Sequence, residues 1–173
     1  MGVSGCGKTT LGKALASTYN YTFLEGDDFH SKENIKKMNN GIPLNDTDRF
    51  PWLKQINACL KNHLGTNTVL ACSALKKKYR QLLSNDLPHD SILWVYLDTV
   101  ITVLQKRMEE RTHFMPPGLL QSQLDTLEAP KESIKLNGSL PVRQMIKQLK
   151  PYLNEHKNAM GDCRNGSHGN QSK

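Results

Sequence analysis

The stretch GVSGCGKT, residues 2–9, matches the pattern G-x-x-x-x-G-K-[ST] at every defined position. Glycines in such a stretch let successive backbone N–H groups face a phosphate chain, and a helix that follows adds the partial positive charge of its N-terminus. The side chain of Lys8 would reach the β and γ phosphates, and the hydroxyl of Thr9 would ligate Mg²⁺. An ordinary glycine-rich turn is the alternative, but the complete match favours a phosphate-binding loop, or P-loop.

We expect the nucleotide to contact the whole loop and the residue after it: Gly2, Val3, Ser4, Gly5, Cys6, Gly7, Lys8, Thr9 and Thr10. Lys8 is also expected to act in catalysis. The thiol of Cys6 lies in sequence beside a helix N-terminus and Lys8, both of which lower the pKa of a thiol. Cys6 is therefore predicted to alkylate readily unless nucleotide shields it, with an inert small residue as the alternative.

A loop of this kind should follow a buried strand, yet only Met1 precedes Gly2 in this sequence. Either the sequence is truncated at its start, or the sheet lacks a central member. A missing central strand would leave backbone groups of its neighbours unpaired, each costing about 1–3 kcal/mol when buried. We therefore expect a P-loop NTPase fold whose first strand is missing.

The rest of the chain alternates apolar runs with amphipathic stretches. The runs Thr68–Cys72 and Ser91–Leu97 are nearly continuous, which is typical of strands buried on both faces of a parallel sheet. Two shorter strands are predicted at Tyr21–Leu24 and Ser133–Leu136. Helices are predicted over Thr9–Ser17, Ser31–Met38, from Pro51 to Leu64, Ala74–Ser84, Thr99–Glu110, Leu119–Leu127 and Val142–Leu153, with a loop over Ile42–Asp48. This order predicts an α/β domain with a parallel sheet flanked by helices.

The domain is expected to span residues 1–153. From Asn154 to Lys173 the sequence becomes polar and glycine-rich, with little to bury, so residues 154–173 are expected to form a disordered tail. Residues 111–118 (RTHFMPPG) break the helical periodicity with two prolines and are predicted to form a loop.

The composition narrows the class of protein. The 173 residues carry a net charge of +7 and are 37% hydrophobic, which suits one globular domain. No apolar run approaches the roughly 20 residues of a membrane span, no signal peptide is evident, and the four scattered cysteines look like reduced thiols, so we expect a cytoplasmic protein without a membrane partner. The lysine clusters at 36–37 and 76–78 lack interleaved aromatics, which favours a solvated face or an anion pocket over nucleic-acid binding.

Four segments resemble the small gluconokinases, relatives of shikimate kinase in the nucleoside-monophosphate-kinase-like P-loop group. They are residues 2–16 (GVSGCGKTTLGKALA), 23–53 (FLEGDDFHSKENIKKMNNGIPLNDTDRFPWL), 72–80 (CSALKKKYR) and 113–130 (HFMPPGLLQSQLDTLEAP). The resemblance implies ATP-dependent phosphorylation of D-gluconate to 6-phospho-D-gluconate with Mg²⁺, in D-gluconate degradation and the pentose phosphate pathway. It also implies a cytosolic, often homodimeric enzyme.

Two acids follow the first predicted strand, where open α/β sheets place their ligands. A carboxylate at Asp27 would orient or deprotonate an attacking hydroxyl, although a capping or exposed loop acid is the alternative. By resemblance to shikimate kinase, Glu25 and Asp27 correspond to a pair of acids that supplies a magnesium-side and a substrate-side carboxylate. Glu25, where the family more often has Asp, forms the expected metal site with Thr9. His30 is a candidate for binding a sugar hydroxyl, with a structural or exposed histidine as the alternative.

Gluconate is an anion, so its carboxylate needs a bidentate donor or several single donors. By resemblance, Arg49 holds the substrate carboxylate, although a surface ion pair is the alternative. Lys76 and Arg80 are four residues apart on a predicted helix and would share one face, which would line the same pocket or form a solvated basic surface.

A lid is expected over about residues 107–118, because phosphoryl transfer needs water excluded and charge neutralised at the γ phosphate. Arg107 and Arg111 flank the irregular HFMPP segment and are candidate catalytic arginines. The family typically has a glycine before the His-Phe pair, so this lid is one residue shorter.

Two further functions remain open from the residues. Another small-molecule kinase of the same fold, such as one for shikimate, would use the same loop. A truncated, non-catalytic nucleotide-binding product would explain the missing strand and the shortened lid. A nucleic-acid-binding role ranks behind both.

Overall fold

The computed structural model describes the backbone of residues 1–110 and 117–165, and the side chains of these residues except 117–118 and 158–165. The helices are α1 (Lys8–Tyr19), α2 (Lys32–Asn39), α3 (Asp46–Asn62), α4 (Lys77–Leu83), α5 (Ile101–Glu109), α6 (Pro117–Thr126) and α7 (Val142–Asn165), with a 3-10 helix over Gly26–Phe29. The strands are β1 (Thr22–Glu25), β2 (Thr68–Ala71), β3 (Val95–Asp98) and β4 (Ile134–Asn137).

The strands form two parallel pairs. Strand β1 pairs with β2, with Thr22 opposite Thr68, and β3 pairs with β4, with Val95 opposite Ile134. Helices connect the strands in each case, so the predicted α/β class with parallel strands is confirmed. The sheet is nevertheless divided into two halves of two strands each.

Met1 and Gly2 connect the two halves. The N–H of Leu97 donates to the carbonyl of Met1 at 2.9 Å, and the amino group of Met1 donates to the carbonyl of Val95, which is the pattern of a parallel strand pair. The N–H of Gly2 donates to the carbonyl of Ser73 at 3.2 Å, just past β2. Within the described residues the first strand, β1, follows α1, and the P-loop starts between the two halves of the sheet.

A cavity of about 440 Å³ lies beside this junction. It is lined mainly by apolar residues of β2, β3 and the helices that cover them, among them Leu15, Leu70, Val95 and Leu149. Lys8, His63, Cys72 and His156 also border it, but Asp27, His30 and Arg49 do not, so the predicted acceptor residues lie elsewhere.

The buried core has two clusters. One joins α1, α5, α6 and α7 through Leu11, Leu104, Leu120 and Leu149. The other joins α3 to α4 and β2 through buried side chains that include Trp52, Leu53, Ile56, Tyr79 and Leu83.

Helix α3 begins at Asp46, earlier than the start expected near Pro51. The side chain of Asn45 accepts from the N–H of Asp48, and the side chain of Asp48 accepts from the N–H of Asn45, which forms a capping box. The loop expected over residues 42–48 therefore ends at Asn45, because this reciprocal cap starts the helix before the proline. The cap expected at Ser31 is confirmed, since its side chain accepts from the N–H of Asn34.

Helix α7 continues to Asn165, beyond the end expected at Leu153. The disorder expected from Asn154 is therefore wrong for residues 154–165. No glycine or proline interrupts residues 154–160, and the ammonium of Lys157 lies 4.9 Å from the ring centre of Tyr21, which ties this part of the helix to the domain. Residues 166–173 lie outside the described residues.

The predicted lid is described only at its ends. Helix α5 ends at Glu109 and α6 begins at Pro117, so residues 111–116, including Arg111, lie outside the described residues. None of the helices in the described part of the chain combines the length and apolarity that a membrane crossing requires.

Candidate active site

The P-loop ends and α1 begins at Gly7, a position where any other residue would be strained. Gly7 is the N-cap of α1 and has a φ of +103°, in the region that favours glycine. Its carbonyl accepts from the N–H of Leu11 at 2.9 Å, which starts the helix directly after the loop. The loop N–H groups and the helix N-terminus therefore share one end of α1, as phosphate binding requires.

The two polar residues that open α1 make different contacts. The ammonium of Lys8 donates to the carbonyl of Val3 at 3.0 Å, so it lies across the loop itself. The hydroxyl of Thr9 donates to Oε2 of Glu25 at 2.7 Å. Glu25 is the last residue of β1, so the strand end brings the two predicted metal ligands together.

Cys6 belongs to the loop through its backbone only. Its side chain is fully buried and packs in the core with Leu104 and Met108. A reagent would have to open the core to reach this sulfur, so the expected ready alkylation is wrong. The sequence showed that Cys6 lies in the loop but not on which side its thiol lies.

Arg107 lies on the P-loop. Its Nη1 is 3.3 Å from the carbonyl oxygen of Gly5 and 3.5 Å from that of Cys6, and it donates to both. This arginine of α5 therefore lies within reach of a phosphate chain on the loop.

A small pocket of about 80 Å³ lies beside the loop. Five of the predicted residues line it, namely Ser4, Lys8, Asp27, His30 and Arg49. They come from the P-loop, α1, the 3-10 helix and its C-terminal cap, and α3. The fold thus brings a phosphate-binding lysine, a carboxylate, an imidazole and a guanidinium to one place.

The acid and the imidazole of this pocket differ in exposure. The side chain of Asp27 is 75% exposed, whereas that of His30 is 5% exposed and stacks on Trp52 with ring centres 4.3 Å apart. Nε2 of His30 lies 4.0 Å from Oδ1 of Asp27. Burial lowers the pKa of His30 below its ordinary value, Asp27 partly offsets this, and Arg49 adds to it. The imidazole is therefore neutral near pH 7.

Asn34 determines the tautomer of His30. Its Nδ2 donates to the carbonyl of Asp48 at 2.9 Å and lies 3.5 Å from Nδ1 of His30. Because Nδ2 is a donor, Nδ1 of His30 accepts and the ring proton is on Nε2. Nε2 lies 4.0 Å from Oδ1 of Asp27, and both residues line the pocket.

Arg49 is held by an aromatic partner that is itself bonded to an acid. Its Nη1 donates to the hydroxyl of Tyr79 at 3.2 Å, and its guanidinium lies 5.6 Å from the centre of the same ring. The hydroxyl of Tyr79 in turn donates to Asp46, which also accepts from Lys76 and Lys78. Hydrogen bonds from Lys78, Tyr79 and Lys76 hold the pKa of Asp46 well below its usual range.

Lys76 and Arg80 do not line this pocket. The ammonium of Lys76 lies 3.0 Å from Oδ1 of Asp46, and Nη1 of Arg80 donates to the carbonyls of Ala74 and Leu75 at 3.1 and 3.2 Å. Lys76 is the N-cap of α4, outside the helical turns, so the expected common helix face does not form. Their predicted contact with substrate has no support in this geometry.

Three residues that sequence reasoning left without a role are part of the site. Trp52 donates from Nε1 to the carbonyl of Gly26 at 2.7 Å and supports His30, and Tyr79 supports Arg49. Gln123 of α6 accepts from the N–H of Ser4 in the P-loop at 2.7 Å. All three lie in the quoted segments, but only a fold shows what they contact.

A metal ion would find few protein ligands here. In the part of the chain that the structure describes, no group of three or more His, Cys, Asp or Glu side chains is arranged to hold a metal. The hydroxyl of Thr9 and the carboxylate of Glu25 nevertheless offer two hard oxygens. This fits Mg²⁺, which commonly binds one or two protein oxygens and completes its shell with phosphates and water.

Comparison with known proteins agrees with this site. The family model described as shikimate kinase matches residues 4–137. The chain is 48% identical to a gluconokinase of Gluconobacter oxydans, over 86% of each protein, and 40% identical to a gluconokinase of Arabidopsis thaliana, over 89% of this chain and 92% of the relative.

A solved structure extends the likeness to three dimensions. The crystal structure of a gluconokinase from Sinorhizobium meliloti superposes with a TM-score of 0.80 at 38% identity, covering 97% of this chain and 95% of that one. The resemblance inferred from the four sequence segments is therefore confirmed, and with it a kinase that uses a nucleotide. The chain belongs to the gluconokinase family, within the P-loop kinases related to shikimate kinase.

Proposed function

We propose that this kinase transfers the γ-phosphoryl group of ATP to D-gluconate and forms 6-phospho-D-gluconate and ADP. One observation carries the proposal: the P-loop lysine, Lys8, lines the same small pocket as Asp27, His30 and Arg49. A phosphate donor and a polyhydroxy acid would meet there, because the pocket joins a phosphate-binding element to donors suited to an anion and to hydroxyl groups.

The nucleotide side of the reaction is assigned to the loop. Lys8 and the loop N–H groups other than those of Gly2, Ser4 and Cys6, which donate to protein acceptors, would bind the phosphates. Thr9 and Glu25 would hold Mg²⁺. The ion, when bound, supplies positive charge that offsets the charge of the transferred group. Arg107, which lies on the loop carbonyls, and Arg111 of the lid would add charge at the γ phosphate.

The acceptor side is assigned to the pocket. Arg49 would bind the gluconate carboxylate, and the neutral His30 would bind a hydroxyl through its Nε2–H. Asp27 would accept the proton of the attacking hydroxyl. In this step a bond forms between the hydroxyl oxygen and the γ phosphorus, the bond from that phosphorus to the β–γ bridging oxygen breaks, and ADP leaves.

The test is ADP release by the purified chain with MgATP and D-gluconate, shikimate or no acceptor. Gluconate-dependent release that a Lys8→Ala variant lacks would support the proposal. Release that depends on shikimate would favour the second candidate, a kinase for another small acid, which the match to the shikimate kinase model motivates. Nucleotide binding without release for any acceptor would favour the non-catalytic alternative.

A homodimer and a cytoplasmic location are proposed on the family resemblance alone. Light scattering during size-exclusion chromatography would measure the mass of the assembly directly, and a monomer at assay concentration would contradict the dimer.

A further inference from the structure

Gln123 connects the helix after the lid to the phosphate-binding loop. Its Oε1 accepts a hydrogen bond of 2.7 Å from the backbone N–H of Ser4, although the two residues are 119 positions apart. Both residues also line the small pocket that contains Asp27 and Arg49. The side chain of Gln123, on α6, therefore contacts the P-loop and also borders the acceptor pocket.

The bond to Ser4 determines how the amide of Gln123 is oriented. A backbone N–H only donates, so the atom facing it must be the amide oxygen, and the amide nitrogen is left with two N–H donors. Among the residues that the structure describes, these donors have no hydrogen-bond partner. They are available to a ligand in the pocket.

Helix α6 is anchored on both sides of this glutamine. Before it, Leu119 and Leu120 are buried, with Leu120 in the core beneath α1 and α5. After it, the N–H of Glu128 donates to the carbonyl of Leu75 at 2.9 Å, and the carboxylate of Glu128 accepts from the N–H of Lys77 at 2.6 Å. The amide of Gln123 is therefore held at the pocket by fixed backbone.

We propose that Gln123 is a specificity-determining residue of the acceptor site, whose amide N–H groups bind an oxygen of the polyhydroxy acid while its Oε1 holds the N–H of Ser4. The inference rests on the proposed function. A neutral amide donates to a hydroxyl or a carboxylate without adding charge, so it complements Arg49. It also links acceptor binding to the loop that binds ATP, since one side chain contacts both.

A matched pair of substitutions separates the two contacts. Gln123→Glu keeps an oxygen that accepts from Ser4 but replaces the donors with a negative charge beside an anionic acceptor. Gln123→Met keeps the length of the side chain and removes both contacts. We expect the KM for gluconate to rise about tenfold or more in both variants, since hydrogen bonds to charged groups are the stronger ones, while the KM for ATP changes less than about threefold in Gln123→Glu.

Gln121→Glu is the control for an added charge on α6. Gln121 is exposed and bonds Asp125 of the same helix, and it does not line the pocket. The kinetic constants of the Gln121→Glu variant should therefore match those of the unaltered chain. Melting temperatures of all variants show whether any of them loses its fold.

The outcomes distinguish the two levels of the proposal. A KM for gluconate that is unchanged in Gln123→Glu but raised in Gln123→Met would mean that only the bond to Ser4 matters, and it would overturn the inference while leaving the proposed function intact. A parallel rise in the KM for ATP in Gln123→Glu would also overturn it. If the unaltered chain shows no gluconate-dependent ADP release, the proposed function fails and this inference fails with it.

Discussion

The phosphate-binding loop and the acceptor pocket adjoin each other but are built in opposite ways. The loop comes from one contiguous stretch, residues 2–9, and its shape depends on local bonds such as that from Leu11 to Gly7. The pocket takes its side chains from α1, α3, α6 and the 3-10 helix with its cap, and Lys8, the Asp27–His30 pair and Arg49 come from separate parts of the sequence. A function carried by local backbone geometry is readable as a motif, whereas one assembled from distant elements is not.

The two regions also differ in what supports them. Around the loop the critical feature is a backbone conformation, the positive φ of Gly7. Around the pocket it is packing, because Trp52 and Tyr79 are 3% and 1% exposed and hold His30 and Arg49 in position. Substitutions in the two regions should therefore separate effects on ATP from effects on the acceptor.

The largest effect is expected from Lys8→Ala. Among the described residues the Lys8 ammonium makes one hydrogen bond, to the carbonyl of Val3, so the fold should survive the loss. Phosphoryl transfer should fall by about 10³-fold or more, because charge stabilisation of the transferred group is the main catalytic term. Rapid-quench measurement of ADP formation, with melting temperature as the check on folding, tests this. If the variant retained a tenth of the activity, Lys8 would not be a main source of charge stabilisation for the transferred group.

Arg49→Lys should affect the acceptor alone. A lysine lacks the planar fork that binds a carboxylate in two places, so the KM for gluconate should rise about 10- to 100-fold. The KM for ATP should stay within about threefold, since among the described residues the hydrogen bond of Arg49 goes to Tyr79 and none joins it to the P-loop. Arg143→Lys, an exposed site on α7, is the matched control. Equal rises in both KM values would show that the two regions are not separable.

Tyr79→Phe tests whether a residue that holds Arg49 in position affects acceptor binding. The change removes the hydroxyl that joins Arg49 to Asp46 but keeps the ring beneath the guanidinium. We expect the KM for gluconate to rise about 3- to 10-fold and the free energy of unfolding to fall by about 1 kcal/mol, the usual net value of one hydrogen bond. Tyr152→Phe, at an exposed tyrosine, controls for the loss of a hydroxyl. An unchanged KM would show that the ring alone positions Arg49.

The smallest effect is a pH dependence from His30. Its pKa is lowered in the folded chain, mainly by burial, so the unfolded chain binds more protons just below the ordinary value of 6.5. Stability should therefore rise with pH through that window and fall as the pH drops from 7 toward the folded pKa. Urea unfolding at pH 7 and at pH 5.5 measures this, and His30→Gln should have a smaller difference between the two. An NMR titration that places the pKa of His30 above 6.5 would contradict the argument that burial lowers it.

Several elements were predictable because their signals are local. The apolar runs that contain most of β2 and β3 predict buried parallel strands, and Ser31 predicts the N-terminal cap of α2. The start of α3 was missed because a reciprocal cap between Asn45 and Asp48 took precedence over the proline. The extent of α7 was missed because a polar composition gives no sign that Lys157 rests on an aromatic ring.

The phosphate-binding loop, the α/β class and the kinase family could all be predicted from the amino-acid sequence, because each depends on residues adjacent in the chain or on runs of apolar residues. The folded chain was needed to show that the thiol of Cys6 is buried, that Lys76 and Arg80 bind protein groups outside the pocket, and that Gln123 reaches the loop. These facts depend on which side a side chain occupies and on contacts between residues far apart in sequence. Packing of the whole domain sets both the side-chain orientations and the long-range contacts. Neither produces a local pattern in the sequence.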